Sequence, residues 1–196
     1  MNNLLTLLSS DPGFRNYGFS VVQFRKQGDN DLAFRILEAG HCSATVSNLK
    51  SGKVLVAQLA AYKEFLRAKV DKYGVQAFTA ERFMTRGVNG PSIEMVNFML
   101  GVMVSSFDKP VKLWPAVTWK NAVRRKGVDL SYWYKWCKAS PHQLDATLIG
   151  IYTGYRAYGF NDFGNLDLED RMPSIIERLE SVSLEPLVNR KLRKGE

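Results

Sequence analysis

The feature that most constrains the fold is the stretch over residues 4–24, in which two apolar runs flank an Asp-Pro-Gly turn. Two short apolar runs joined by a Pro/Gly turn are typical of a β-hairpin. Pro12 restricts the backbone directly after Asp11, and Gly13 lets a large group approach closely. The carboxylate of Asp11 is therefore a candidate ligand for a metal ion or a metal-bound phosphate. The alternative is that Asp11 only initiates the turn.

The rest of the chain alternates between strand and helix patterns. A third strand is predicted over residues 32–39, a long helix over 54–70, a fourth strand over 75–83, a largely apolar helix over 92–107 and a fifth strand over 111–115. A meander followed by strand–helix alternation predicts an α/β fold. Its mixed five-stranded sheet would combine an antiparallel meander with parallel strands and carry helices on both faces.

Composition limits the partners and the location of the chain. A formal net charge of +8 favours a polyanionic partner, nucleic acid before an acidic membrane. The two cysteines fit no metal-binding spacing, and reduced thiols are typical of a cytoplasmic protein. The N-terminal apolar run lacks a basic segment before it, and the run over residues 95–104 is too short to cross a bilayer. An intracellular protein without a signal peptide or membrane segment is expected.

All four tryptophans fall between residues 112 and 138, where they are interleaved with basic side chains. Cations contact phosphates and exposed rings stack on bases, so this composition is typical of a nucleic-acid surface. The alternative is that the rings pack inward beneath an ordinary solvated basic face. For the run Arg124, Arg125 and Lys126 beside Gly127, we favour contact with phosphate, because packing explains such a run poorly.

A strong helix start precedes residue 142, with serine in the capping position and proline at the first helical position. His142 and Asp145 follow three residues apart, on one face of the first turns. Taken alone, each has an ordinary explanation, as a surface histidine and as a carboxylate that complements the helix dipole. The pair becomes a candidate site together with Asp11 and with Glu81, which lies on the fourth predicted strand.

Four blocks of sequence resemble the RuvC-type Holliday-junction resolvases of the ribonuclease H-like superfamily. In chain order they read SSDPGFRNYGFSVV, AERFMTRGVNGPSIEMVNFMLGVM, VTWKNAVRRKG and SPHQLDATLIGIY. The blocks follow the family's order across most of residues 4–158, and as an ordered set they are more specific than any single block. Departures from the common pattern, together with the basic end of the chain, favour a divergent, phage-type member.

The resemblance implies a crossover junction endodeoxyribonuclease, which resolves four-way DNA junctions by paired symmetric phosphodiester hydrolysis. The family's carboxylates match Asp11, Glu81 and Asp145, and the position three residues before the last of these is His142. The resemblance assigns these four side chains to catalysis and to two Mg²⁺ or Mn²⁺ ions per active site. It leaves open whether His142 binds a metal or orients the attacking water. It also implies a twofold homodimer on branched DNA, with the helix over residues 92–107 as the candidate interface.

Further positions are candidates for contact with DNA. Met84 stands where the family often has an aromatic side chain that enters the junction. The other candidates are basic: Arg15, Lys120, Arg124, Arg125 and Lys126. Among them, Lys120 and Lys126 are expected to hold the scissile phosphate, and Arg15 and Arg124 to contact the DNA backbone.

The resemblance ends near residue 160. Residues 1–160 are therefore expected to form the nuclease domain, and residues 161–196 a C-terminal extension with a basic tail. Two other functions remain open: a related nuclease acting on forks, flaps or RNA–DNA hybrids, and a non-catalytic DNA-binding protein that has kept the fold. A phosphate-binding domain of the sugar-kinase and actin type would need a second acidic hairpin, which the sequence lacks.

Overall fold

A computed structural model of the chain describes residues 4–13, 16–28, 31–43, 52–82 and 91–181. The predictions for Arg15, Met84 and the basic tail lie outside these residues. The strands are β1 (Leu4–Asp11), β2 (Asn16–Lys26), β3 (Leu32–Ser43), β4 (Ala77–Arg82) and β5 (Val111–Pro115). The helices are α1 (Gly52–Tyr73), α2 (Pro91–Ser106), α3 (Ala116–Arg125), α4 (Leu130–Trp136), α5 (Pro141–Ala157) and α6 (Leu168–Ser181).

The five strands form one mixed sheet in the order β3-β2-β1-β4-β5. β2 pairs antiparallel with both β1 and β3, whereas β4 runs parallel to both β1 and β5. The predicted α/β fold is confirmed, with β1 at the centre and Asp11 as its last residue. Because Ser10 pairs with Ala80 and an acidic residue follows each of them, Asp11 and Glu81 lie side by side at one edge of the sheet.

Two element boundaries differ from the predicted ones for identifiable reasons. β3 continues past the predicted end at residue 39, because Gly40 lies under the ring of Phe19 and lets pairing with β2 persist to Ser43. β4 begins later than predicted, because the amide of Val75 still donates to the carbonyl of Val70 at the end of α1. Gly40, which follows the predicted end of the strand, thus lies within β3, and its lack of a side chain makes room for the ring of Phe19.

Helices cover both faces of the sheet. On one face, α3, α5 and α6 pack against side chains such as Leu7, Val22 and Phe24. On the other face, α1 and α2 pack against side chains such as Leu8 and Val21. Neighbouring residues of a strand point to opposite faces, so both runs of the first hairpin are buried on both sides. No helix in the described part of the chain is both long enough and apolar enough to cross a membrane.

The N-terminus of α5 lies against β2 because Gly18 has no side chain. A Cβ atom on Gly18 would come within 1.9 Å of the carbonyl oxygen of His142. Gly18 is also the pairing partner of Asp11 across β1 and β2. This close approach sets the first turns of α5 beside the end of the central strand.

Helix α6 was not predicted, and it packs on the same core as the rest of the chain. Its apolar side is buried, and this side comprises Leu168, Met172, Ile175, Ile176 and Leu179. Arg178 on α6 donates from Nε to the carbonyl of Ile36 at 3.1 Å and from Nη2 to that of Leu37 at 3.5 Å, at the outer edge of β3. The division at residue 160 stays a prediction, but side chains as far as Leu179 belong to the common core.

Candidate active site

Three carboxylates converge at the edge of the sheet where β1 and β4 end. Asp11 ends β1, Glu81 lies beside it on β4, and Asp145 lies in the second turn of α5. All three are buried, with exposed fractions of 6%, 7% and 7%. Buried carboxylates cost free energy unless they are paired or bound to a cation, so a group of three in one place is typical of a functional site.

His142 binds Asp11 directly. Its Nδ1 lies 2.6 Å from Oδ2 of Asp11. The hydrogen bond to this carboxylate favours the protonated imidazole and raises the pKa of His142. On its other side the imidazole stacks on His41, with ring centroids 6.0 Å apart and planes inclined by 8°. Burial, and then the neighbouring His142, lowers the pKa of His41, so the two rings differ in their affinity for a proton.

Glu81 is held by a buried indole. Nε1 of Trp119 donates to Oε2 of Glu81 at 3.0 Å, and Trp119 is fully buried. Burial, reinforced by the charge on Asp11, raises the pKa of Glu81 to about 7. An indole is a neutral donor, so it orients the carboxylate without neutralising its charge.

Asp145 has two partners, one neutral and one charged. The hydroxyl of Tyr134 donates to Oδ1 at 2.5 Å, and Nζ of Lys120 lies 3.1 Å from Oδ2. Burial raises the pKa of Asp145, and Lys120 and Tyr134 partly oppose this rise. Burial alone would lower the pKa of Lys120, but the charges of Asp145 and Glu81 outweigh it and raise that pKa. Lys120, predicted to hold the scissile phosphate, thus lies at the carboxylate cluster.

The chemistry of these donors fits a hard divalent cation, because such ions prefer carboxylate oxygens. In this conformation, however, no group of three or more His, Cys, Asp and Glu side chains among the described residues is arranged to hold a metal ion. Protein donors engage the carboxylates instead.

The basic run on α3 makes contacts within the protein. Arg125 forms a two-point ion pair with Asp162, at 2.8 and 2.9 Å. Lys126 donates to the carbonyl of Gly164 at 2.6 Å, and the exposed Arg124 donates to Oδ1 of Asn121 at 3.2 Å. Contact of the run with phosphate stays a prediction. The structure adds another role, since Arg125 and Lys126 tie α3 to the segment after α5.

The four tryptophans divide between the two interpretations. Trp119 is fully buried, Trp114 donates to the hydroxyl of Thr153 at 2.9 Å, and Trp133 packs against the core. Trp136 is 66% exposed. Three rings therefore pack inward, wholly or in part, and one remains on the surface.

Sequence reasoning identified His142 and Lys120 but not the two neutral donors that hold the carboxylates. The sequence pattern places Trp119 in an aromatic and basic segment and gives Tyr134 no role. Helix α4, which carries Tyr134, has seven residues, too few to show which face is buried. For Trp119 a signal was present, because it directly precedes Lys120 on a helix that follows the acidic strand.

Solved structures match the chain, although no protein-family model and no curated protein sequence does. RuvC of Thermus thermophilus in complex with a Holliday junction substrate superposes with a TM-score of 0.61 and 16% identity, over 79% of this chain and 97% of that chain. A second structure of Thermus thermophilus RuvC gives a TM-score of 0.60 and 18% identity over the same shares. The chain has the ribonuclease H-like fold of RuvC.

More distant similarity extends to the Fowlpox virus resolvase in complex with Holliday junction DNA. Its TM-score is 0.35 at 11% identity, over 89% of this chain and 99% of that chain. The similarity to RuvC establishes the fold alone, since identity is below a fifth. The side chains of the carboxylate cluster therefore decide which function this fold performs here.

Proposed function

We propose that the chain is a metal-dependent, structure-selective endonuclease that resolves four-way DNA junctions by paired symmetric hydrolysis. The observation that carries the proposal is the burial of Asp11, Glu81 and Asp145 together, with His142 bound to Asp11, at one edge of a RuvC fold. A turn or a helix dipole can explain a single carboxylate, but neither explains why three carboxylates are buried together.

Asp11, Glu81 and Asp145 would hold two Mg²⁺ or Mn²⁺ ions, with His142 as a further ligand or as the group that orients the attacking water. Such ions, when bound, supply the charge that activates water and stabilises the leaving oxygen. The protein's own part is to fix the carboxylates. Trp119 holds Glu81 and Tyr134 holds Asp145, both by neutral hydrogen bonds.

Lys120 would change partners when DNA binds. In the free protein its ammonium group pairs with Asp145 at 3.1 Å, and its side chain is 35% exposed. A partly exposed lysine beside a carboxylate cluster can reach an incoming phosphate oxygen, which is the role predicted for it. Moving the ammonium group to the phosphate would also release an oxygen of Asp145 for a cation.

Symmetric cleavage of a four-way junction needs two sites at a fixed spacing, which implies a twofold homodimer. The candidate interface is α2, which is apolar nearly all round. Among its described side chains, Val96 and Leu100 are buried against α1 and the sheet, whereas Phe98 is 64% exposed. An exposed aromatic side chain on an apolar helix is a suitable contact for a second copy.

The test is cleavage of a labelled synthetic four-way junction with Mg²⁺ or Mn²⁺, beside linear duplex, Y-fork and flap substrates. We expect paired symmetric nicks on the junction that fall to background in Asp11→Asn. Asp108→Asn is the matched control. Asp108 is exposed just before the first residue of β5, whereas the carboxylate cluster lies where the parallel strands end. This variant should cleave as the parent does.

Other outcomes would assign a different function. Stronger cleavage of forks or flaps than of junctions would keep the carboxylate site and make the chain a broader branched-DNA nuclease. Binding of junctions without metal-dependent cleavage would indicate a non-catalytic DNA-binding protein, and the roles given to Glu81, His142 and Asp145 would be wrong.

A further inference from the structure

Helix α4 packs one side against the protein and leaves two aromatic rings on its other side. Leu130, Trp133 and Tyr134 pack against the core. Tyr132 and Trp136, one turn apart, are 51% and 66% exposed. Their ring centroids lie 5.9 Å apart with planes inclined by 42°, so the two rings form one continuous apolar surface. We call Tyr132 and Trp136 the aromatic pair.

The end of α4 that carries Trp136 also carries basic side chains. Lys135 and Lys138 are both exposed and flank Trp136 in the sequence. Acidic side chains lie at both ends of this helix: Asp129 at its N-terminus accepts from the amide of Ser131 at 2.9 Å, and Glu180 of α6 accepts from the amide of Lys138 at 3.0 Å. The two exposed lysines outnumber the carboxylate of Glu180, so the end of α4 that carries Trp136 has a net positive charge among these side chains. Such a surface fits a partner that has flat rings and negative charge.

The aromatic pair lies close to the carboxylate cluster. Tyr134, between its two members on α4, donates to Asp145 from the opposite side of the helix. The pair is therefore separated from Asp145 by about one helix diameter, roughly 10–12 Å. A DNA strand whose phosphate lies at the carboxylates would pass α4 within a few nucleotides.

We infer that Tyr132 and Trp136 form a stacking platform for an unpaired base of DNA near the cut strand, with Lys135 and Lys138 contacting the adjacent phosphates. The location of this platform on the substrate rests on the proposed function. Nucleic acid has the required chemistry, because every base offers a flat face and every linkage a negative charge. Bases inside a duplex are already stacked on their neighbours, so the platform favours DNA with unpaired bases, such as a branch point.

Oligothymidylate is the probe, because its bases are unpaired, and linear duplex is the comparison. All variants carry Asp11→Asn, so that cleavage does not disturb the binding measurement. Trp136→Ala should weaken binding of oligothymidylate by roughly 5- to 150-fold, the usual range for loss of one stacked base. Trp136→Phe keeps a ring and should retain most of the affinity. Binding of linear duplex should change little in either variant.

Salt dependence separates stacking from charge. Trp136→Ala should leave the slope of log Kd against log salt concentration unchanged, whereas Lys135→Gln should reduce it by about 0.7 per lost single-strand contact. Val56→Ala on α1 is the matched control, since Val56 is 66% exposed on a helix of the other face. It should bind oligothymidylate as the parent does. Quenching of tryptophan fluorescence by oligothymidylate should also decrease strongly in Trp136→Phe.

Three results would overturn the inference. They are unchanged oligothymidylate binding in Trp136→Ala, an equal loss of duplex binding, and a change of oligomeric state without DNA, which would make the aromatic pair a protein interface. The proposed function fails separately. If no junction is cut while oligothymidylate binding still depends on Trp136, the nuclease proposal is wrong and the platform stands.

Discussion

Each carboxylate of the candidate site is held by a donor from a different element. Trp119 on α3 serves Glu81, Tyr134 on α4 serves Asp145, and His142 on α5 serves Asp11. Trp119 and Tyr134 are neutral, so they orient Glu81 and Asp145 without neutralising them, whereas the ammonium group of Lys120 compensates the charge of Asp145. The neutral donors therefore set the orientation of the carboxylates, and charged groups compensate the negative charge.

At this scale the sharpest prediction concerns Trp119. Trp119→Phe keeps most of the buried ring but removes the N–H that binds Glu81. We expect junction cleavage to fall about 10- to 100-fold and the affinity for Mn²⁺ to fall similarly, because donors that orient metal-binding carboxylates have effects of this size. Cleavage rates and calorimetric titration with Mn²⁺ measure the two effects.

The control for that prediction is Trp114→Phe. It also removes an indole hydrogen bond, the one to Thr153, from a residue that pairs with Glu81 across β4 and β5 but donates to no carboxylate of the site. Both variants should lose about 1–3 kcal/mol of unfolding free energy in denaturant titrations. If Trp114→Phe lowered the affinity for Mn²⁺ as much as Trp119→Phe does, the effect would be one of general stability, and Trp119 would have no specific role.

The sequence predicted the residues at the centre of the site but not their surroundings. Asp11 stands out beside Pro12 and Gly13, and the spacing of His142 and Asp145 places both on one helical face, so local patterns were sufficient. The pairing of Tyr134 with Asp145 depends on how α4 docks on α5. The packing of these two helices cannot be predicted from a local sequence pattern.

At the scale of elements, Gly18 determines how closely α5 approaches the sheet. Gly18→Ala would place a Cβ atom 1.9 Å from the carbonyl oxygen of His142, so backbone must shift. We expect a loss of about 1–3 kcal/mol of unfolding free energy and a large loss of junction cleavage, because His142 would move away from Asp11. Thermal melting and cleavage assays check both effects.

Gly28→Ala is the matched control for this prediction, because a Cβ atom on Gly28 would meet no atom within 4 Å. It should melt and cleave as the parent does. Full activity in Gly18→Ala would show that α5 can retreat without disturbing the candidate site.

A partly buried ion pair joins β3 to α1. The carboxylate of Glu38 accepts from Lys69 and from the hydroxyl of Tyr73, the latter at 2.7 Å, and Lys72 lies 3.5 Å away. The ammonium group of Lys69 also lies 4.9 Å from the ring centroid of Phe65. Burial alone would raise the pKa of Glu38, but hydrogen bonds from Lys69 and Tyr73 outweigh it and lower that pKa below 4.5.

The lowered pKa predicts how stability depends on acidity. Because the folded protein binds this proton less readily than the unfolded chain, Glu38 stabilises the fold above its unfolded pKa of about 4.5. That contribution is lost as pH falls through the lower folded pKa. We expect the melting temperature of Glu38→Gln to be lower than the parent's at neutral pH and to fall less on acidification. If the melting temperatures of the two proteins fell by the same amount on acidification, this assignment would be wrong.

The elements that the sequence missed are those whose stability comes from distant contacts. β5 was predicted over its observed range, because its pattern is local. Helix α6 lies beyond the resembling blocks, and its apolar face is explained only by the core that it completes. Helix α4 has too few residues for its buried face to be read from spacing alone.

At the scale of the whole molecule, the prediction concerns assembly. Phe98→Asp places a charge on the exposed side of α2 without disturbing the buried Val96 and Leu100. If α2 is the dimer interface, this variant should sediment as a monomer and should nick junctions singly instead of in symmetric pairs. Val117→Asp on α3 is the control, since Val117 is also an exposed apolar residue, 55% exposed. An unchanged sedimentation coefficient in Phe98→Asp would place the interface elsewhere.

The contacts of Arg178 with the outer edge of β3 affect how the chain can be shortened. A terminal strand with open carbonyl groups is a template for pairing with another chain. The carbonyls of Ile36 and Leu37 are taken by Arg178, and that of Leu32 by the hydroxyl of Tyr155. A chain cut at residue 160 would keep Tyr155 but lose the whole of α6. Such a fragment would expose both an open strand and the apolar surface beneath α6, and its characteristic failure would be aggregation through β3.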